Sequence, residues 1–335
     1  MTLAATLMTA AFDAAGRWPG VERALAPRAA ALMTLRLAEA GDPAWPGHLE
    51  APVTGMLAGH AAMLAAWIHE RRRDRRLIVG LAGGQGSGKS TLAAFTAALL
   101  RREYGARVAV LGLDDLYLPR AERVTLAQEV HPLFLTRGVP GTHDVDLGLE
   151  LLDRLTGDTG SVALPRFDKG RDERVDIAHW APVQAPVDVV LFEGWCVGAP
   201  PQGTAALVDP CNDLEREEDA AGIWRTAVND ALRQAYATLF ARIGALVYLR
   251  IPDFAAVLRW REEQEALLRT HASAAMTPAE VVRFVAHYER LTMALRQAAP
   301  GLADLILDLD AQHRLVAVAP GGAWRQRRFR RHSAL

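Results

Sequence analysis

Nine consecutive residues, Gly83-Gly84-Gln85-Gly86-Ser87-Gly88-Lys89-Ser90-Thr91, fit the spacing G-x-x-x-x-G-K-[ST]. Glycines at this density let several backbone N–H groups converge on phosphate oxygens without Cβ clashes. A helix starting inside the loop adds positive partial charge at its N-terminus. In such a cradle Lys89 reaches the outer phosphates and the Ser90 hydroxyl binds Mg²⁺. The flanks supply the required context. Leu77–Ala82 is an apolar run with strand character, and Leu92–Arg102 is rich in helix formers.

Carboxylates come next. A second apolar run ends Leu111-Gly112-Leu113-Asp114-Asp115-Leu116-Tyr117, and a third, Val187–Phe192, ends in Glu193. In an open α/β sheet, ligands bind outside the carboxyl ends of the strands. One aspartate of the 114–115 pair is therefore placed to accept a hydroxyl proton or to serve the metal. Glu193 falls where an acid faces Mg²⁺, directly or through water. Two loop-like blocks, 131–144 and 164–174, are dense in His, Arg, Asp and Lys. Arg137, Arg166, Lys169, Arg171 and Arg174 form a set suited to an anionic small molecule, arginine in particular to a carboxylate. Further on, Leu258-Arg259-Trp260-Arg261 offers arginines that can close over phosphates as a lid. Arg259 and Arg261 are two residues apart and point to different helix faces, so one of them is expected to reach.

Positioning these groups requires alternation of strands and helices. Strands are expected over 77–82, 107–113, 187–192, 245–251, 305–309 and 315–319. Helices are expected over 89–103, 145–155, 224–243, 254–270 and 278–298. Thr277, Pro278 and Glu280 announce the last of these with a capping box. The pattern predicts a three-layer α/β/α sandwich with a mostly parallel sheet. Residues 1–75 read as a helical N-terminal extension, with segments over 2–15, 21–40 and 54–75, and 76–335 as the catalytic domain. The Arg71–Arg76 run reads as a solvated helix end, 198–210 as a loop near the site, and the acidic run 215–219 as a solvated turn.

Composition narrows the function. The 335 residues carry a net charge of −1, so no global field favours nucleic acid or membrane. Among 38 basic residues only Lys89 and Lys169 are lysines. One of them is the cradle lysine, which draws suspicion to the other. Two cysteines without metal spacing fit a reducing cytosol, and no apolar stretch reaches ~18 residues, so no membrane span is expected. The N-terminus does not read as a signal peptide.

Taken together and in order, the cradle, Leu113–Tyr117, the block Arg137-Gly138-Val139-Pro140-Gly141-Thr142-His143-Asp144, Pro165–Lys169, Phe192–Cys196 and Trp260–Glu265 resemble the D-glycerate 3-kinases of plant and fungal type. That family is related to phosphoribulokinase, uridine kinase and pantothenate kinase. The similarity runs from about Leu77 to Asp310. It implies a P-loop kinase fold, ATP and Mg²⁺ as nucleotide and metal, and γ-phosphoryl transfer to the 3-hydroxyl of D-glycerate. It also implies roles. Asp114 matches the family's base and Tyr117 its tyrosine, while Leu116 departs from the usual aromatic. Asp115 then serves substrate or metal water. His143, Asp144 and Asp168 fall in substrate-loop blocks, and Glu193 or Asp114 joins Ser90 at the metal. The rival readings are a kinase for another small alcohol and a nucleotide-driven switch with no acceptor.

Overall fold

The computed structural model describes residue 18 and residues 51–157, 159–269 and 276–323. The helices expected over 2–15 and 21–40 lie outside these residues.

Six strands form the central sheet: β1 (Leu77–Gly83), β2 (Val108–Gly112), β7 (Val189–Gly194), β8 (Ala245–Arg250), β9 (Leu305–Leu309) and β10 (Leu315–Pro320). Their spatial order is β10-β9-β8-β1-β7-β2, parallel except for the β9–β10 edge pair. Near-continuous apolar strands are what a sheet covered on both faces needs. Because side chains alternate across a strand, each strand feeds two cores. Val79, Leu81, Val189, Leu191, Val247 and Leu249 enter one. Ile78, Ala82, Val190, Phe192, Leu246 and Tyr248 enter the other.

Helices α1 (Ala51–Arg72), α2 (Lys89–Tyr104) and α8 (Phe254–Arg269) cover the first face through residues such as Trp67, Phe95 and Trp260. The second face is covered by α4 (Val145–Gly157), α6 (Ile223–Arg233), α7 (Ala235–Phe240) and most of α9 (Pro278–Leu302). The mostly parallel α/β/α sandwich expected above is therefore observed. The last helix begins with the expected capping box, Thr277 with Glu280.

Some elements differ from expectation. The helix expected over 224–243 is two helices, broken at Gln234 (φ −101°, ψ −98°), where neither glycine nor proline marks the break. The last helix runs through Pro300 to Leu302, since a proline in the final turn removes only one helical bond. Two helices were not foreseen, α3 (Arg120–Glu129) and α5 (Asp213–Glu218). Nor were two antiparallel ribbons, β3 (Gly160–Leu164) with β6 (Ala181–Ala185), and β4 (Phe167–Asp168) with β5 (Glu173–Arg174).

Two charged runs are solvated only in part: residues 73–76 and 216–218 are exposed, but their neighbours are engaged. Glu215 is 1 % exposed and takes both the Nε and Nη2 protons of Arg290. Asp219 is also buried, capping the start of α6 through the Trp224 and Arg225 N–H groups and pairing with the Arg225 guanidinium. Carbonyls of the 198–210 loop (Ala206, Leu207, Val208, Asp209) complete both arginine cages. In the 71–76 run, Arg71 pairs with Asp304, Arg72 lies 3.5 Å from Asp188, and Arg76 bonds the Thr156 carbonyl. These ties, with α1 packed on α2, join the helix to the sheet core. No helix among the described residues is long and apolar enough to cross a membrane.

Candidate active site

The strand β1 ends at Gly83, and the chain turns through Gly84–Gly88 into α2. Gly86 (φ 76°) and Gly88 (φ 80°) take left-handed backbone conformations that side-chain-bearing residues resist. A Cβ on Gly86 would sit 2.7 Å from the Trp260 Cβ, so α8 closes directly over the loop. Ser87 Oγ is buried with no protein partner, a hydroxyl free to donate to an added oxyanion. Lys89 and Ser90 open the helix and Thr91 follows them within its first turn.

The adjacent strand β7 brings Glu193 to this turn, where Ser90 Oγ donates to Glu193 Oε1 over 2.7 Å. That bond leaves the serine lone pairs available to a cation. Burial raises the Glu193 carboxyl above its ordinary value, against the pull of Lys89. Strand β2, next to β7, ends in a short 3₁₀ turn over Leu113–Leu116 that presents Asp114 and Asp115.

Asp114 is engaged at both oxygens. Tyr117 OH donates to Oδ1 over 2.8 Å and Lys169 Nζ to Oδ2 over 2.6 Å. Burial disfavours its charge, but the ammonium groups of Lys169 and then Lys89, with these two hydrogen bonds, outweigh it. The carboxyl is held well below the usual carboxylate range. Asp115 accepts the Phe167 N–H over 3.2 Å with Arg166 3.8 Å off. Burial raises its carboxyl.

Beside Asp114 and Tyr117 lie the 137–144 loop and the β4–β5 hairpin, the segments expected to take the acceptor. Gly138 (φ 141°) packs so tightly that a Cβ would lie 2.1 Å from the Tyr288 hydroxyl. Tyr288 OH donates to the Arg137 carbonyl and Trp195 Nε1 to the Gly138 carbonyl. Arg137 pairs with Asp172, bonds the Lys169 carbonyl at 3.3 Å and lies over the Phe167 ring. His143 is 4 % exposed, stacked on Tyr117 with ring centroids 4.6 Å apart. Its Nδ1 lies 2.6 Å from Tyr236 OH, which already accepts the Gly141 N–H. Donation by the tyrosine to Nδ1 places the ring proton on Nε2, which is buried with no protein partner. Burial lowers His143 to about 4, so it is neutral.

Other residues named from the sequence have local partners. Asp144 caps α4 through the Leu147 N–H and receives Arg174 at 3.1 Å. Asp168 Oδ1 accepts the Gly170 and Arg171 N–H groups, shaping the hairpin tip. Arg166 is mostly exposed. Arg259 lies 3.9 Å from Asp253, whereas Arg261 is tied to Glu265 and lies over Phe284. The Cys196 thiol, beside the site, is pushed up by burial. Sequence reasoning missed Arg123, which is 1 % exposed, donates to the Leu118, Leu135 and Asp172 carbonyls and pairs with the Asp172 carboxylate. One of two arginines in a polar helix gives no sign of such a role.

The chain has relatives among known proteins. The chain is 35 % identical over 223 residues to an uncharacterized kinase, mug58, of Schizosaccharomyces pombe, covering 79 % of that protein. It is 33 % identical over 223 residues to the chloroplastic D-glycerate 3-kinase of Arabidopsis thaliana, spanning 46 % of that longer protein. The chain belongs to the glycerate kinase family of P-loop kinases. A solved D-glycerate 3-kinase from Cryptococcus neoformans superposes with a TM-score of 0.66 at 26 % identity, covering 79 % of this chain and 99 % of that one. No family model matches the chain. As a member of the glycerate kinase family the protein is an enzyme, a kinase, acting on a small molecule.

Proposed function

We propose that this kinase transfers the γ-phosphoryl of ATP to the 3-hydroxyl of D-glycerate, giving 3-phosphoglycerate and ADP. The observation that carries the reading is Asp114, ionised between Lys169, Lys89 and Tyr117 at the end of the strand next but one to the phosphate loop. An alcohol kinase needs a carboxylate that stays charged and can receive the hydroxyl proton. The glycerate assignment draws on relatives from a plant and a fungus that bear that name.

Each group has a task. The amides of Gly83–Ser90 and the Lys89 ammonium bind the phosphates. Ser90, with Glu193 behind it, would hold Mg²⁺, which neutralises phosphate charge when bound. Two oxygen donors suffice for a cation that keeps waters and takes phosphate oxygens. Asp114 orients the acceptor hydroxyl and takes its proton as the oxygen bonds to phosphorus. His143, neutral with a proton on Nε2, and Arg166, Arg171 and Lys169 on the acceptor side suit a carboxylate-bearing alcohol. Arg259 flanks Trp260 on the helix over the cradle and serves as the mobile lid cation, since Arg261 is already held by Glu265. Most of the rate gain comes from positioning and charge stabilisation.

A coupled assay of ADP release with Mg·ATP and D-glycerate tests this, run beside uridine and pantothenate. D-Glycerate is expected to give by far the highest kcat/KM. ADP release with D-glycerate no faster than without any acceptor refutes the assignment.

A further inference from the structure

The pairing of Asp114 with Lys169 raises a problem for a proton acceptor. Lys169 Nζ occupies Oδ2 at 2.6 Å and Tyr117 OH occupies Oδ1, so the carboxylate that must receive an alcohol proton is already doubly engaged. Two cations face it, Lys169 and Lys89, and Lys89 belongs to the phosphate cradle. The other titratable groups around it cannot replace Lys169. Asp115 on the same turn and Glu193 on β7 are acids. Tyr117, Cys196, Tyr288 on α9 and His143 on the acceptor loop are kept uncharged by burial.

Lys169 is built as a fixed anchor with a free tip. Its carbonyl is bonded by Arg137, and the next two N–H groups are capped by Asp168. Arg137 and the buried Arg123 both clamp Asp172, which holds the hairpin to the acceptor loop. The Lys169 side chain itself is 60 % exposed. A four-carbon stem carrying a compact ammonium can swing from such an anchor, whereas a planar guanidinium locks into a bidentate pair. A lysine here, in a chain that otherwise uses arginine almost throughout, is consistent with that requirement.

We propose that Lys169 is the switch that couples acceptor binding to release of the base: its ammonium leaves Asp114 for the anionic group of the acceptor, so that only a hydroxy acid frees Oδ2 for the hydroxyl. This rests on the glycerate reading and extends it to a rule for substrate class. While Lys169 stays, its ammonium occupies Oδ2, where the hydroxyl must approach. Once it moves, the carboxylate becomes more basic as the hydroxyl arrives. The acceptor oxygen then bonds to the γ-phosphorus, and the bond from phosphorus to the β,γ-bridging oxygen breaks. Its electron pair leaves with ADP, and the hydroxyl proton passes to Asp114 Oδ2. A neutral alcohol such as glycerol offers the same hydroxyl but no anion, so it leaves the pair intact and is poor in kcat as well as KM.

With two lysines in the whole chain, the switch can be watched directly. The full-length protein labelled with ¹³C at lysine Cε gives two side-chain signals, assigned with Lys169→Met. The Lys169 signal is expected to shift on titration with D-glycerate and to stay in place with glycerol. In initial-rate assays with Mg·ATP, Lys169→Met is expected to lose about 10–100-fold in kcat/KM for D-glycerate, the usual worth of a hydrogen bond to a charged group. Its discrimination between D-glycerate and glycerol collapses, and the acid limb of its kcat/KM profile moves to higher pH. Lys169→Arg keeps part of the discrimination. If D-glycerate is phosphorylated but the Lys169 signal does not move, or Lys169→Met keeps the wild-type ratio and acid limb, the switch is wrong. If D-glycerate is not phosphorylated and Asp114→Asn leaves ATP turnover unchanged, the glycerate reading has failed and the switch falls with it.

Discussion

Buried histidines set the acid stability of this enzyme, His60 and His143 foremost, and burial lowers His287 and His313 in the same direction. His60 in α1 is 6 % exposed and His143 in the acceptor loop 4 %. Burial lowers both to about 4; for His143 the Asp114 charge opposes the shift without cancelling it. An unfolded histidine titrates near ~6.5. Between those values the unfolded chain takes up at least two protons that the native state refuses, so stability falls as pH falls. Each histidine costs the native state about 1.4 kcal/mol per pH unit below ~6.5, about 3 kcal/mol by pH 4, or about 6 for the pair. That is a large part of the ~5–15 kcal/mol that holds a typical domain. Paired carboxylates such as Asp188 and Glu215, whose values are lowered, weaken the fold only at still lower pH, so the windows separate. Urea unfolding at pH steps from about 8 to 5 measures the slope. Wild type is expected to reach at least ~2.7 kcal/mol per pH unit below pH 6, and His60→Leu about 1.4 kcal/mol per pH unit less than wild type. A flat profile from pH 7 to 5, or an unchanged slope in His60→Leu, refutes the reasoning.

Other expectations concern the site and its frame. Lys89→Ala is expected to abolish turnover in the coupled assay. Asp114→Asn is expected to cut kcat by ~10²–10⁴-fold, the usual worth of a positioned base, with ATP affinity by titration calorimetry largely kept. Gly138→Ala drives a Cβ into the Tyr288 hydroxyl at the acceptor loop. It is expected to raise the KM for the acceptor more than that for ATP, and equal effects would place the loop elsewhere. Glu215→Ala leaves the part-buried Arg290 without its carboxylate. It is expected to cost about 3–5 kcal/mol in urea unfolding, and a loss under 1 kcal/mol would mean solvent already screens the pair.

What the sequence makes legible is local. The strand Leu305–Leu309 is recovered to the residue and the phosphate loop with its flanks nearly so, because hydrophobic runs, glycine spacing and caps are read within a few positions. Asp114 and Glu193 stand out because strand ends point to a ligand crevice. Pairings across long separations are invisible to the same reading. Glu215 looks like one charge in an acidic run until Arg290, 75 residues on, closes on it. Arg123 has the sequence context of a surface residue, yet it joins three segments of backbone. The break at Gln234 follows from packing of two short helices over the sheet, which no residue type announces.

Strands β2 and β7 are neighbours in the sheet, yet 76 residues, 113–188, intervene between Gly112 and Val189. That single excursion holds Asp114, the 137–144 loop, the hairpin and the clamp of Arg123 on Asp172. The phosphate loop and its covering helix come from elsewhere in the chain. Under the proposed function, choice of acceptor and capture of nucleotide are thereby physically partitioned, so one can drift while the other stays constant. A chimera that swaps this segment for that of a relative with another substrate inherits new chemistry as a cassette, provided Trp195, Tyr236 and Tyr288 still receive it.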